Sequence, residues 1–168
     1  MGLTFVLGGA RSGKSAQAEA LVEALPPPWT YIATAEVWDG EMAERIALHR
    51  ARRGAGWQTI DAPHDLPDAL ARQPAGRPVL IDCLTLWLSN RLLADADLDT
   101  ESAALEQAVA RREGPLAVVS TEVGLGIVPD NALARRFRDA QGRLNQRIAA
   151  RAGRVLFMVA GLPLQVKP

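Results

Sequence analysis

Cysteine and lysine are nearly absent from this 168-residue chain. A single cysteine, Cys83, excludes an internal disulfide and suits a reducing compartment. No apolar run approaches the roughly 18 residues of a membrane span. The stretch Leu3-Thr4-Phe5-Val6-Leu7 is too short for a secretory core and lacks a basic leader. Val6 also breaks the myristoylation pattern. There is no excess of charge: 19 basic residues balance 19 acidic ones, which argues against a nucleic-acid partner. No repeat, low-complexity tract or linker interrupts the chain. With 48% hydrophobic and 23% charged residues it reads as one globular cytoplasmic domain, residues 1–168.

The scarcity of lysine makes its placement informative. Of the 19 basic residues 17 are Arg, and the two lysines are Lys14 and Lys167. Lys14 is therefore the only lysine in the body of the chain.

Short apolar runs alternate with helical stretches. Strands are expected at Leu3–Leu7, Trp29–Ala33, Trp57–Ile60, Pro78–Ile81, Leu116–Ser120 and Arg154–Val159, the last closing the sheet. Helices are expected over Lys14–Leu25, Asp39–Arg53, Leu66–Arg72, Leu84–Leu93, Thr100–Glu113 and Asn131–Ala152. Pro26-Pro27-Pro28 ends the first helix, because proline removes a donor and clashes with the preceding turn. Continuous apolar strands alternating with helices specify an α/β fold in three layers, a mostly parallel sheet with helices on both faces.

Gly8-Gly9-Ala10-Arg11-Ser12-Gly13-Lys14-Ser15 matches the phosphate-binding pattern G-x-x-x-x-G-K-[ST] in full. An apolar strand precedes it and a helix follows, so the fold class is P-loop NTPase-like. The glycines let backbone N–H groups converge on an anion, and the helix adds its positive end. Lys14 is expected to reach the β- and γ-phosphates and Ser15 to ligate Mg²⁺. Asp82, at the end of an apolar strand, has the form of a second metal-site residue. It also fits a helix-capping acid, and Glu122 carries the same two readings just past the end of the next strand.

Of the two histidines, His64 follows Pro63 in a loop and reads as surface. His49 lies on the expected helix with Arg45 at i−4, Arg52 at i+3 and Arg53 at i+4. Like charges keep an imidazole neutral, and a neutral imidazole is a competent nucleophile toward phosphorus. A solvated basic helix with an incidental histidine accounts for the same pattern.

Several segments together resemble one family. They are the phosphate loop, Tyr31-Ile32-Ala33-Thr34, Arg45-Ile46 with His49-Arg50, Asp82-Cys83-Leu84-Thr85, Glu122-Val123-Gly124-Leu125-Gly126-Ile127-Val128-Pro129 and Gly142-Arg143-Leu144-Asn145-Gln146-Arg147. In this order they resemble the bifunctional adenosylcobinamide kinase / adenosylcobinamide-phosphate guanylyltransferases of cobalamin biosynthesis. The resemblance implies phosphorylation of adenosylcobinamide with ATP or GTP. Transfer of GMP from GTP to that phosphate follows, through a GMP–histidine intermediate. It assigns the guanylylated residue to His49. It extends nucleotide contacts over Gly8, Gly9, Ala10, Arg11, Ser12, Gly13, Lys14 and Ser15, then Thr34, Ala35 and Glu36. Further contacts fall on Arg50, Ala51, Arg52, Arg53, Asp61 and Asp82. It implies a homotrimer, with Trp87 as an exposed residue at a subunit contact. Many members have Glu where this chain has Asp61 and Asp82, one methylene shorter at each, and Thr121 stands where Asn often precedes the Glu.

Two other functions compete. A monofunctional P-loop kinase of a small alcohol would use His49 only as a phosphate contact. A nucleotide-gated module gripping RNA or protein through Arg50–Arg53 and Arg135-Arg136 with Arg138 is disfavoured by the zero net charge.

Overall fold

The computed structural model describes residues 2–36 and 54–168. Numbered among these residues, the chain runs β1 (Leu3–Gly8), α1 (Lys14–Glu23), β2 (Trp29–Ala33), β3 (Trp57–Asp61), α2 (Leu66–Ala71) and β4 (Val79–Asp82). It continues through α3 (Leu84–Leu93), α4 (Leu98–Arg111), β5 (Leu116–Thr121), α5 (Ala132–Arg151), β6 (Arg154–Val159) and β7 (Leu162–Lys167). The helix expected over Asp39–Arg53 lies outside the described residues, and so do His49, Arg50, Ala51, Arg52 and Arg53.

One sheet holds all seven strands in the order β3-β2-β4-β5-β1-β6-β7. Every pair is parallel except β6 with β7. The central strands β1, β2, β4 and β5 read as apolar or β-branched runs because both faces are covered. On one face Val6, Leu80, Ala117 and Val119 pack with Ala18 and Val22 of α1. On the other, Phe5, Ile32, Val79, Ile81 and Val118 pack with Leu70 of α2, Trp87 and Leu88 of α3, Leu105 of α4 and Leu144 of α5. Among the described residues no helix is long and apolar enough to cross a membrane.

Three details correct the sequence reading. The sheet does not close at β6. Ala160 and Gly161 both take positive φ, 51° and 84°, and make a two-residue hairpin turn into antiparallel β7. Helix α4 starts two residues earlier than Thr100, because the Asp97 carboxylate accepts from the Asp99 and Thr100 N–H groups and caps it there. Trp87 is wholly buried, not exposed, so it cannot make a subunit contact. Its indole is core, with Nε1 donating to the His64 carbonyl at 3.0 Å.

Candidate active site

In a parallel sheet the loops after the strands gather on one edge, where ligands bind. The segments singled out in the sequence meet there: the phosphate loop after β1, Thr34–Glu36 after β2, Asp82 at the end of β4 and Glu122 just past β5. Asp61 ends β3 on the same edge. That strand stands four positions from β1, about 19 Å at ordinary strand spacing.

The phosphate loop is shaped by two glycines. Gly13 is the N-cap of α1 with φ 92°, a conformation that side chains resist. A Cβ on Gly8 would lie 2.6 Å from Ser12 Oγ and 2.8 Å from the Met158 carbonyl, so only glycine fits between β1 and β6. The Ser12 carbonyl accepts from Gly161 N–H at 3.1 Å, which fastens the loop to the turn between β6 and β7. Within the loop Lys14 Nζ donates to the Gly9 carbonyl, folding the ammonium over the cradle. Burial lowers the Lys14 pKa from its ordinary value, and Cys83 and Asp82 oppose that shift.

Asp82 and Cys83 sit beside this lysine. The hydroxyl of Tyr31, the only tyrosine, donates to Asp82 Oδ2 at 2.8 Å and fixes the carboxylate. The Cys83 thiol is buried and pushed up to about 11, by burial first and then by Asp82. It is protonated at neutral pH and is no nucleophile.

Two sets of buried polar groups hold the strand ends together. In the first, the Thr34 hydroxyl donates to the Cys83 carbonyl at 2.7 Å and accepts from Cys83 N–H at 2.8 Å. Asn90 Nδ2 on α3 donates to the Thr34 carbonyl at 2.9 Å and the Pro63 carbonyl at 3.1 Å. His64 is more than surface, since its Nε2 pairs with Glu36 Oε1 at 2.7 Å. In the second set, the Ser120 hydroxyl donates to Asn145 Oδ1 at 2.7 Å and accepts from Gln141 Nε2 at 2.9 Å. Asn145 Nδ2 donates to the Thr121 carbonyl at 3.3 Å, and Thr121 N–H donates to Thr85 Oγ1 at 2.8 Å. The polar positions Asn90, Gln141 and Asn145 interrupt apolar helix faces, the one sequence signal that could have marked them.

Beyond β5, Glu122 N–H donates to the Gly8 carbonyl at 3.1 Å, and its carboxylate accepts from Gly124 N–H at 2.7 Å. A groove of about 530 Å³ between α2 and α4 lies where the chain enters β4 and β5, at the opposite edge, and holds none of the described motif residues.

Metal chemistry at this edge is narrow. No group of three or more His, Cys, Asp or Glu side chains able to hold an ion occurs among the described residues. Ser15 and Asp82 offer hard oxygen donors beside the cradle, the kind of partial site that suits Mg²⁺ carried largely by phosphates and water. The edge supplies an anion cradle with the Lys14 ammonium folded over it and an acid beside that lysine.

Comparison with known proteins agrees with this geometry. The family model described as cobinamide kinase / cobinamide phosphate guanyltransferase matches residues 4–166. The chain is 50% identical over 165 residues to the bifunctional adenosylcobalamin biosynthesis protein CobP of Pseudomonas aeruginosa, covering 96% of this chain and 95% of that one. It is 38% identical over 181 residues to the bifunctional adenosylcobalamin biosynthesis protein CobU of Salmonella typhimurium, covering 98% and 99%. Among solved structures, a type III secretion system ATPase superposes with TM-score 0.56 at 11% identity, over 98% of this chain and 56% of that one. A protein of Pyrococcus horikoshii OT3 gives TM-score 0.56 at 8% identity, over 99% and 86%. These two likenesses are of fold.

Proposed function

Because the chain belongs to the cobinamide kinase / cobinamide phosphate guanyltransferase family, we propose that it phosphorylates adenosylcobinamide and then converts the product to adenosylcobinamide-GDP. Residues 1–168 act as one catalytic unit. The observation that carries the first step is the complete phosphate loop at the end of β1, with Lys14 folded over its cradle beside Asp82.

In the kinase step the hydroxyl oxygen of the acceptor attacks the γ-phosphorus of ATP or GTP and loses its proton to water. The bond to the β–γ bridging oxygen breaks, and the nucleoside diphosphate leaves. Lys14 moves from the Gly9 carbonyl to the β- and γ-oxygens and offsets the charge that develops there. The N–H groups of the loop and the start of α1 hold the same oxygens. Ser15 and Asp82 would hold Mg²⁺, which when bound neutralises phosphate charge. Tyr31 keeps the Asp82 carboxylate oriented through its hydroxyl.

In the second step an imidazole nitrogen of His49 attacks the α-phosphorus of GTP, forming a P–N bond and releasing pyrophosphate. The phosphate of the acceptor then attacks that phosphorus, and the P–N bond breaks to restore the histidine. Arg50, Ala51, Arg52 and Arg53 beyond the histidine, with Thr34, Ala35, Glu36 and Asp61, complete the nucleotide contacts. The support for this assignment is the match of these positions to the family pattern. We place the enzyme in the cytoplasm as a homotrimer.

The test is labelling without acceptor. Protein and Mg²⁺ meet GTP labelled at the α- or the γ-phosphate, followed by denaturation and a gel. Acid-labile label retained from α but not γ, and lost in His49→Ala, is the expected result. No retained label, with γ-transfer to an acceptor intact, would leave a plain kinase.

A further inference from the structure

Resting on the bifunctional reading above, we propose that the loop from Val123 to Pro129 is the docking surface for the corrin ring of the acceptor. Exposed apolar side chains are ordinary when scattered, and informative when gathered beside a reacting site. Here Leu125 is 80% exposed, Ile127 98% and Val128 58%, and Leu133 in the first turn of α5 is 53% exposed. These four side chains fall within nine residues, and no charged residue stands between Glu122 and Asp130.

The patch is continuous with the phosphate loop. Thr121 at the end of β5 pairs with Gly8, and Glu122 N–H donates to the Gly8 carbonyl at 3.1 Å. The chain therefore leaves the sheet next to the first residue of the phosphate loop. Both roots of the patch are tied down. At one, Glu122 accepts from Gly124 N–H at 2.7 Å. At the other, Arg135 Nη1 donates to the Pro129 carbonyl at 2.9 Å and the Asp130 carbonyl at 2.7 Å, while Asn131 caps α5 through Ala134 N–H at 2.8 Å. Anchored at both ends, the loop presents its apolar side chains outward.

The chemistry of the acceptor explains why such a surface belongs there. Its reacting hydroxyl sits on a short arm of a large macrocycle whose rim carries methyl groups and neutral carboxamides. That hydroxyl must come within about 3–3.5 Å of the γ-phosphorus. The rim of the ring then rests beside the phosphate loop, where an apolar surface meets its methyl groups without burying a charged side chain of the protein.

The test uses the double variant Leu125→Ser with Ile127→Ser, both exposed, so that neither substitution opens a cavity. Adenosylcobinamide binding is followed by equilibrium dialysis without nucleotide. In parallel we would measure the KM for adenosylcobinamide, the KM for ATP and the α-label retained by the protein without acceptor. Burying about 60 Å² of apolar surface is worth a factor of about ten, so acceptor affinity and KM should weaken at least about tenfold. The KM for ATP and the retained α-label should not change. Unchanged acceptor affinity overturns the assignment. A loss of affinity accompanied by an altered sedimentation state also overturns it, and assigns the loop to a contact between copies of this chain. Wild-type protein that binds adenosylcobinamide but transfers no phosphoryl group refutes the kinase reading alone, with dialysis still deciding the loop. Wild-type protein that binds none refutes both.

Discussion

Replacing Asn90 by Ala removes one amide that serves two backbone carbonyls. Asn90 is 3% exposed, and its Nδ2 bonds the Thr34 and Pro63 carbonyls at 2.9 and 3.1 Å. A buried polar group stripped of its partner costs about 1–3 kcal/mol, so two orphaned carbonyls set an upper range of about 2–6 kcal/mol. The truncated side chain leaves room for a water, which would restore part of the loss. We therefore expect Asn90→Ala to cost about 3 kcal/mol. For a chain of this length that lowers the thermal midpoint by about 6–12 °C. Asn90→Leu fills the space and denies entry to water, so its cost should equal or exceed that of Ala. The assay is thermal and urea unfolding followed by far-UV circular dichroism, with midpoint and slope both measured. An Ala variant within about 0.5 kcal/mol of wild type, at unchanged slope, would refute the bridging role.

Other expectations concern chemistry. Lys14→Ala should lower γ-phosphoryl transfer by about 100-fold or more at unchanged secondary structure, and full turnover in that variant would remove the phosphate-loop assignment. His49→Ala should abolish α-label retention while sparing much of the kinase step; equal loss of both would make the histidine a binding contact. Cys83 should react slowly with iodoacetamide in the native protein at pH 8 and quickly in urea. With its thiol pushed up to about 11, native reactivity should rise only as pH approaches that value. The sign for stability follows: between about pH 9 and 11 the folded thiol holds its proton while the unfolded one releases it, so Cys83 makes stability fall with rising pH. Equal stability of wild type and Cys83→Ser relative to pH 8 across that window would contradict this.

Much of the fold was legible in sequence because its central strands are buried on both faces. Leu3–Gly8, Trp29–Ala33 and Leu116–Thr121 are unbroken apolar or β-branched runs, and α3 falls on its expected bounds, Leu84–Leu93. Strand β7 escaped for a physical reason. It is an edge strand, mostly exposed, with Pro163 in its run, so burial wrote no pattern into it. The start of α4 escaped because Asp97 decides it through a cap rather than through periodicity. At the site, the phosphate loop, Asp82 and Glu122 could be placed from strand-end position alone. Thr34 could be placed too, but not its buried hydroxyl bridging Cys83. Tyr31 on Asp82 and His64 on Glu36 depend on contacts 51 and 28 residues apart in sequence, which no local pattern encodes.

The amides of Gln141 and Asn145 on α5, with the Thr85 hydroxyl on α3, lash the end of β5 at Ser120 and Thr121 between two helices. Mechanically, this makes the edge a workbench rather than a jaw. Ser120 and Thr121, and with them the start of the loop at Glu122, are expected to hold still whichever phosphate is cut there. Two successive reactions at such a bench must differ in how the nucleotide is laid across it. Structures loaded with ATP and with GTP should then superpose at residues 85, 120 and 145 while their nucleotides diverge.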